Sequence, residues 1–304
     1  MTVRLPDSIL VLERGWLSAN NILFFEGEGA TLVDSGYVTH ASQTVALVER
    51  ALDGRRLDRL VNTHSHSDHI GGNAALQASF HCEILVPAGL SATIAEWDED
   101  ALLLSPLGQQ AGRFQHDGVI PPGTEIEMGG LAWQALPVPG HDQSALAYYN
   151  PEHRLLISGD ALWENGFGVL FPELLGEADG LADARATLEM LGRLPIDTVI
   201  PGHGSPFGAV DAALERAFRR LQSFESDLER LAWHALKVIV SFHLMEKRRV
   251  RRADLPATLA GMPFLESVNR RYLDWDNAVL AERLAAELLA VGAIREEEGW
   301  LVCR

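Results

Sequence analysis

Residues 61–73 read VNTHSHSDHIGGN, with three histidines and one aspartate within six consecutive positions. Neutral imidazole and carboxylate are the donors that suit Zn²⁺, iron and manganese. A segment this dense in them has the chemistry of half a metal cage. If the strand leading in continues that far, His64 and His66 share one face. Asp68 and His69 come once the chain has turned, and can point at a second position beside the first. The plain alternative is a polar, histidine-rich turn. Whether the rest of the chain supplies the missing ligands decides between them.

It supplies three. PGHD places His141 after an apolar strand, LLISGDAL places Asp160 at a strand end, and VIPGHG places His203 in the same way. Each has glycine beside it, which suits loops that bring a ligand close to the backbone at a sheet edge. Five of the 11 histidines thus fall at ligand-type positions, and Asp160 is the anion placed to bridge two cations. A lone histidine in a turn such as PGHD is ordinarily solvated, but seven ligand-type residues arriving in order are not. His40, His81, His116, His153, His234 and His243 lack that context and read as surface or packed residues, with His116 the one to watch as a substrate contact.

These residues need strands to hold them. ILVLER (9–14), NILFF (21–25) and ATLVD (30–34) read as an antiparallel start. Residues 41–53 have helical spacing, LDRLVNTH is a strand running into the histidines, GGNAALQAS is a helix opening at the glycine pair, and HCEILVP is a strand. Residues 88–120 read as a helical insertion and loop. TEIEMG, LAWQALPV, LAYYNP and RLLISGD are strands, the last two a hairpin turned at Asn-Pro. DGLADARATLEMLGRL is an amphipathic helix and DTVIPGHG a last strand and turn. Residues 209–246 lack Gly and Pro and read as one long helix or two abutting ones. A short helix follows, with Asp254 before it, Pro256 in its first turn and Gly261 at its end. AVLAERLAAELLAVG is a further helix and AIREEEGWLV a hairpin. Strands interleaved with helices give an α+β fold in two domains, 1–209 and 210–304, the second mainly helical and winged-helix-like.

Composition narrows the function. The formal net charge of −17 lies wholly in residues 1–209, because residues 210–304 carry 15 basic and 15 acidic side chains. That field disfavours non-specific nucleic-acid binding. No apolar run approaches the roughly 20 residues that span a bilayer. MTVRLPDSIL lacks a signal-peptide pattern. Cys82 and Cys303 do not suggest a disulfide framework, which fits the cytoplasm.

The set TLVDSG, THSHSDHIGG, PGHD, SGDAL and PGHG resembles the metallo-β-lactamase superfamily of hydrolases in motif order and spacing, over roughly residues 9–209. The resemblance implies an αββα sandwich with two divalent metal ions, zinc or else iron or manganese, at one edge. It implies a first site of His64, His66 and His141, a second of Asp68, His69 and His203, and Asp160 bridging. Asp34 matches a position that supports the ligands from behind. The implied reaction is hydrolysis, with a hydroxide held between the metals attacking an acyl centre and Asp68 orienting it.

Substrate features lie outside the motifs. Trp163, Phe167, Phe171, Leu174 and Leu175 follow Asp160 and suit an apolar pocket wall, and Trp97 with Leu102, Leu103 and Leu104 suits its mouth. Residues 1–209 hold no basic cluster suited to glutathione carboxylates. A small-molecule ester, thioester or lactone is the expected substrate, with a metal-dependent ribonuclease or a non-catalytic sensor as alternatives. The basic run Lys247, Arg248, Arg249, Arg251 and Arg252 reads as a solvated turn rather than an RNA contact. The C-terminal domain could also serve as a homodimer interface or an active-site wall.

Overall fold

The structure, a computed structural model, describes residues 3–176 and 179–303. The expected signal-free N-terminal stretch therefore begins outside the described residues, as do two positions of the loop after Asp160.

Six strands form the first sheet: β1 (Ile9–Leu12), β2 (Asn21–Glu26), β3 (Gly29–Val33), β4 (Arg56–Val61), β5 (Glu83–Pro87) and β6 (Gly118–Ile120), side by side in chain order. The β1–β2 and β2–β3 pairs are antiparallel and the rest parallel. Parallel neighbours need crossovers. They are α1 (Ala41–Leu52) between β3 and β4, then α2 (Ser67–Ile70) and α3 (Asn73–Phe80), then α4 (Ser91–Glu96) and α5 (Leu104–Leu107). The second sheet holds β7 (Glu125–Met128), β8 (Leu131–Pro137), β9 (Leu146–Asn150), β10 (Leu155–Gly159) and β11 (Thr198–Pro201) in the order β11-β10-β9-β8-β7. The β9–β10 hairpin is the one expected at Asn-Pro. The parallel step from β10 to β11 crosses through α6 (Phe171–Leu175) and α7 (Gly180–Leu191).

Strand alternation sets the layers. In β2, Ile22 and Phe24 point between the sheets, where they meet Trp133, Tyr148 and Ile157 of the second sheet. Leu23, one position along, points the other way and packs with Leu32 and Leu60 against Val48 and Leu52 of α1. On the far side of the second sheet, Ala147, Tyr149 and Leu156 are covered by Leu188 and Leu191 of α7. The result is the αββα sandwich. Trp133 is fully buried at its centre.

From Val210 the chain is mainly helical: α8 (Val210–Glu225), α9 (Leu228–Lys247), α10 (Leu255–Ala260), α11 (Pro263–Val268) and α12 (Asn277–Ala290). The long apolar stretch is two abutting helices. The break falls at Asp227, whose Oδ1 accepts from Arg230 N at 3.1 Å and caps α9. Three short strands, β12 (Arg249–Arg251), β13 (Ile294–Glu297) and β14 (Trp300–Cys303), form an antiparallel sheet in the order β12-β14-β13. The basic run is thus partly strand rather than turn. Arg252 is neutralised by Glu282 and Glu296, and Arg249 and Arg251 lie over the Trp300 ring. The apolar core on the outer face of the second sheet continues without a break through α8 and α9 to Leu301.

Two expectations need correction. β6 adds a strand at the end of the segment read as helix and loop. Trp97 packs on Phe114, and Leu102 and Leu104 are buried beneath the first sheet, so they wall no pocket mouth. His116 bonds Ser91 at 2.9 Å, away from the cavity described below.

Candidate metal centre

The strand into the histidines stops at Val61, so the common face of a continuing strand does not bring His64 and His66 together. The loop after β4 and the single turn of α2 do so instead. The His64 and His66 rings lie 4.7 Å apart at 88°, and His64 and His69 lie 3.9 Å apart. His141 arrives from the loop after β8, with Nε2 2.7 Å from His66 Nδ1. Asp160 follows β10 and His203 follows β11. All seven sequence-selected residues meet at one edge of the sandwich.

They divide into two groups. His64, His66 and His141 form one; Asp68, His69, Asp160 and His203 form the other, and within each group the donor atoms lie within 4.8 Å of one another. Asp160 reaches both. Its Oδ1 is 3.3 Å from His69 Nε2, and its Oδ2 is 3.5 Å from His141 Nε2 and 3.8 Å from His203 Nε2. His203 Nε2 also lies 3.0 Å from Asp68 Oδ2. The Asp68 side chain keeps 14 % of its surface exposed against 6 % for Asp160, which leaves it the more open of the two carboxylates.

Hydrogen bonds behind the rings decide which nitrogens face inward. Asp34 sits in the left-handed region at φ 57°, which ends β3 and turns its carboxylate under the site. Its Oδ1 accepts from Thr63 N (2.9 Å) and its Oδ2 from Thr63 Oγ1 (2.8 Å). His69 Nδ1 donates to the same Oδ2 at 2.7 Å. Because the Thr63 hydroxyl proton is committed to Asp34, its oxygen accepts from His64 Nδ1 at 3.0 Å. His141 Nδ1 donates to the Val169 carbonyl at 2.6 Å. The opposite nitrogens of these three rings therefore turn toward the centre.

This is where a metal fits. His64 Nε2 and His69 Nε2 are buried without a hydrogen-bond partner, an arrangement that costs stability unless something else engages such groups. Burial, followed by the neighbouring His69, holds the His64 pKa well below the ordinary imidazole value. Burial and His141 do the same for His66, so both imidazoles are neutral. For Asp160, burial opposes ionisation, but His69 and His203 outweigh it and hold the pKa well below the usual carboxylate range. Asp68 is lowered in the same way, against burial, by His69 and His203. Gly202 is required by close approach, since a Cβ there would come 2.3 Å from Asp160 Oδ1.

A cavity of about 560 Å³ opens in front of the cluster. Trp163, Phe167 and Phe171 line it, as the sequence suggested, whereas Leu174 is buried in the core and neither it nor Leu175 lines the cavity. Several contributors were not read from the sequence. Trp16 stacks on His203 at 5.3 Å and 9°, and Trp163 Nε1 donates to Asp160 Oδ1 at 3.2 Å. Nothing in the local pattern around Trp16 signals this, since the contact is made across the fold. Arg220, His234 and Lys237 form part of the wall from α8 and α9, so His234 is not merely a packed residue.

Residues 14–203 match the family model of the metallo-beta-lactamase superfamily. The chain belongs to that superfamily. Similar proteins include the hydroxyacylglutathione hydrolase of Aeromonas hydrophila, 33% identical over 48% of this chain and 46% of that one. The enzyme of the same name from Rhodopseudomonas palustris is 29% identical over 43% of each. The chain spans about half the length of these curated relatives. Among solved structures, a metallo-beta-lactamase family protein from Thermus thermophilus superposes with a TM-score of 0.58 at 18% identity, covering 99% of this chain and all of that one. FEZ-1 metallo-beta-lactamase from Legionella gormanii gives a TM-score of 0.57 at 15% identity, covering 71% and 91%. These likenesses show the same sandwich. The family implies a divalent metal at the site, and the donor set fits one.

Proposed function

We propose that this protein is a dinuclear, metal-dependent hydrolase of a small acyl ester, thioester or lactone. The observation that carries the reading is the pair of adjoining donor groups with inward-facing, unpartnered imidazole nitrogens, bridged by Asp160, at the floor of one cavity. Thioester cleavage is supported by similarity to proteins named hydroxyacylglutathione hydrolases. Zinc is the metal we assign, because groups of imidazole and carboxylate donors suit it.

His64, His66 and His141 would hold one ion, Asp68, His69 and His203 the other, and Asp160 both. Bound there, two divalent cations would acidify water to a nucleophile at neutral pH and polarise the acyl carbonyl. The protein's own groups do the rest. Asp34 keeps His69 directly, and His64 through Thr63, in the donor orientation. Asp68, ionised and partly open to the cavity, accepts the proton released from water and returns it to the leaving group. Phe167, Phe171 and Trp163 enclose the acyl group and exclude bulk water. Residues 1–209 carry the chemistry in this reading, and residues 210–304 close the substrate cavity.

Metal analysis of the purified protein together with a panel of esters, thioesters, lactones and phosphodiesters tests this. Two metals per chain and cleavage of an acyl substrate are expected, with His66→Ala losing at least about 100-fold in kcat/KM. Metal-loaded protein that cleaves only the phosphodiesters, or nothing, rules the reading out.

A further inference from the structure

The cavity has polar lining that the proposed chemistry does not use. Arg220 of α8 belongs to it, partly buried, and no acidic side chain among the described residues pairs with it; burial alone lowers its pKa. Lys237 of α9, which also lines the cavity, is already neutralised: its Nζ is 2.5 Å from Glu287 Oε1, and Trp233 Nε1 donates to the other Glu287 oxygen at 2.6 Å. His234, between them, is pushed down to about 4 by burial and then by Arg220 and Lys237, so it is uncharged at neutral pH. One positive charge is left uncompensated.

That charge is costly to withdraw from water, and it stands in a chain with a net charge of −17, where acids are not scarce. It is also seated. The guanidinium lies against Gly166 (φ +122°), where a Cβ would come 2.2 Å from Nη1 and 2.5 Å from Cζ, so only glycine leaves it room. Gly166 belongs to the loop that begins at Asp160, which ties the position of the guanidinium to the metal-binding edge. Phe167, in the same loop, lines the cavity alongside it.

We propose that Arg220 anchors a carboxylate carried by the substrate, on the acyl chain or on the leaving group. A guanidinium fork matches a carboxylate in two parallel hydrogen bonds. A single uncompensated positive charge matches a carboxylate better than a phosphate dianion. The word substrate rests on the hydrolase reading; the carboxylate site itself does not.

Thioesters in matched pairs test it, with a carboxylate on the acyl chain in one arm, on the thiol in the other, and an uncharged isostere for each. In the metal-loaded protein one arm is expected to favour the carboxylated member by about 10-fold or more in kcat/KM, through KM, as a charge-assisted bond gives. Arg220→Met brings that ratio near one, and Arg220→Lys retains part of it because the charge remains without the fork. Equal rates for charged and neutral members in both arms, or a ratio that survives Arg220→Met, overturns the proposal. If no acyl substrate is turned over, the hydrolase reading fails and calorimetric titration with glutarate decides the site. Saturable binding that Arg220→Met abolishes upholds it. Absence of glutarate binding, or tighter binding of inorganic phosphate at the same residue, overturns it.

Discussion

At the scale of single residues, orientation matters as much as ligand identity. Asp34 touches no donor nitrogen that faces the centre, yet it holds His69 at 2.7 Å and reaches His64 through Thr63. Asp34→Ala is expected to weaken metal affinity about 10- to 100-fold, as loss of a ligand's supporting hydrogen bond does. Thr63→Val, which removes the support of His64 but leaves His69 its bond to Asp34, should cost less. Competition against a chelator of known affinity measures both; Thr63→Val matching Asp34→Ala would contradict the relay. The candidate ligands were legible in sequence because four crowd into HSHSDH after an apolar strand, while His141, Asp160 and His203 each follow an apolar strand beside glycine. Thr63 stood in plain view within THSHSDH, but its role depends on a hydroxyl proton committed to a residue on another strand. Trp16 gave no local sign, because its stacking on His203 joins two distant loops.

At the scale of elements, α8 and α9 do more than cover the sheet. Their inward faces carry Arg220, His234 and Lys237 into the cavity, and His234 makes α9 a source of pH dependence. Its pKa falls from an ordinary 6.5 to about 4 because burial and two cations oppose its charge. The unfolded chain therefore binds a proton between those pH values that the folded chain excludes. Stability contributed by neutral His234 is complete above pH 6.5, is lost as the pH falls toward 4, and changes no further below that. The whole effect is on the order of 3 kcal/mol. Denaturation of wild type and His234→Gln across pH 4 to 7 should show a shallower slope in the variant; equal slopes would remove His234 as the cause. Helix spacing predicted one long helix or two abutting ones over residues 209–246, and the cap at Asp227 decided for two. The strand β6 was missed because three residues carry too little alternation to stand out beside the helices before them.

At the scale of the whole molecule, one apolar core runs from the outer face of the second sheet through α8 and α9 to Leu301. Residues 1–209 expressed alone would expose that face, so the fragment is expected to aggregate or bind a hydrophobic dye, checked by size-exclusion chromatography and dye fluorescence. A monodisperse, dye-negative fragment would show that the first 209 residues cover their own core. Metal should act on the whole fold, since it would engage nitrogens otherwise buried without partners. Chelation is expected to lower Tm by roughly 5–10 °C, read by calorimetry, from a linkage energy of about 3 kcal/mol at 100-fold saturation. Among the described residues no helix is long and apolar enough to cross a membrane. The sequence by itself named the seven side chains that the fold gathers and the layered fold, because ligand chemistry needs particular side chains and layers need periodic apolar residues, and both are written locally. Only the tertiary structure decided which nitrogens face inward, which aromatic rings wall the cavity, and that a guanidinium from α8 with no acidic partner among the described residues lines it. Those follow from contacts between residues far apart in the chain, whose spacing no local pattern records.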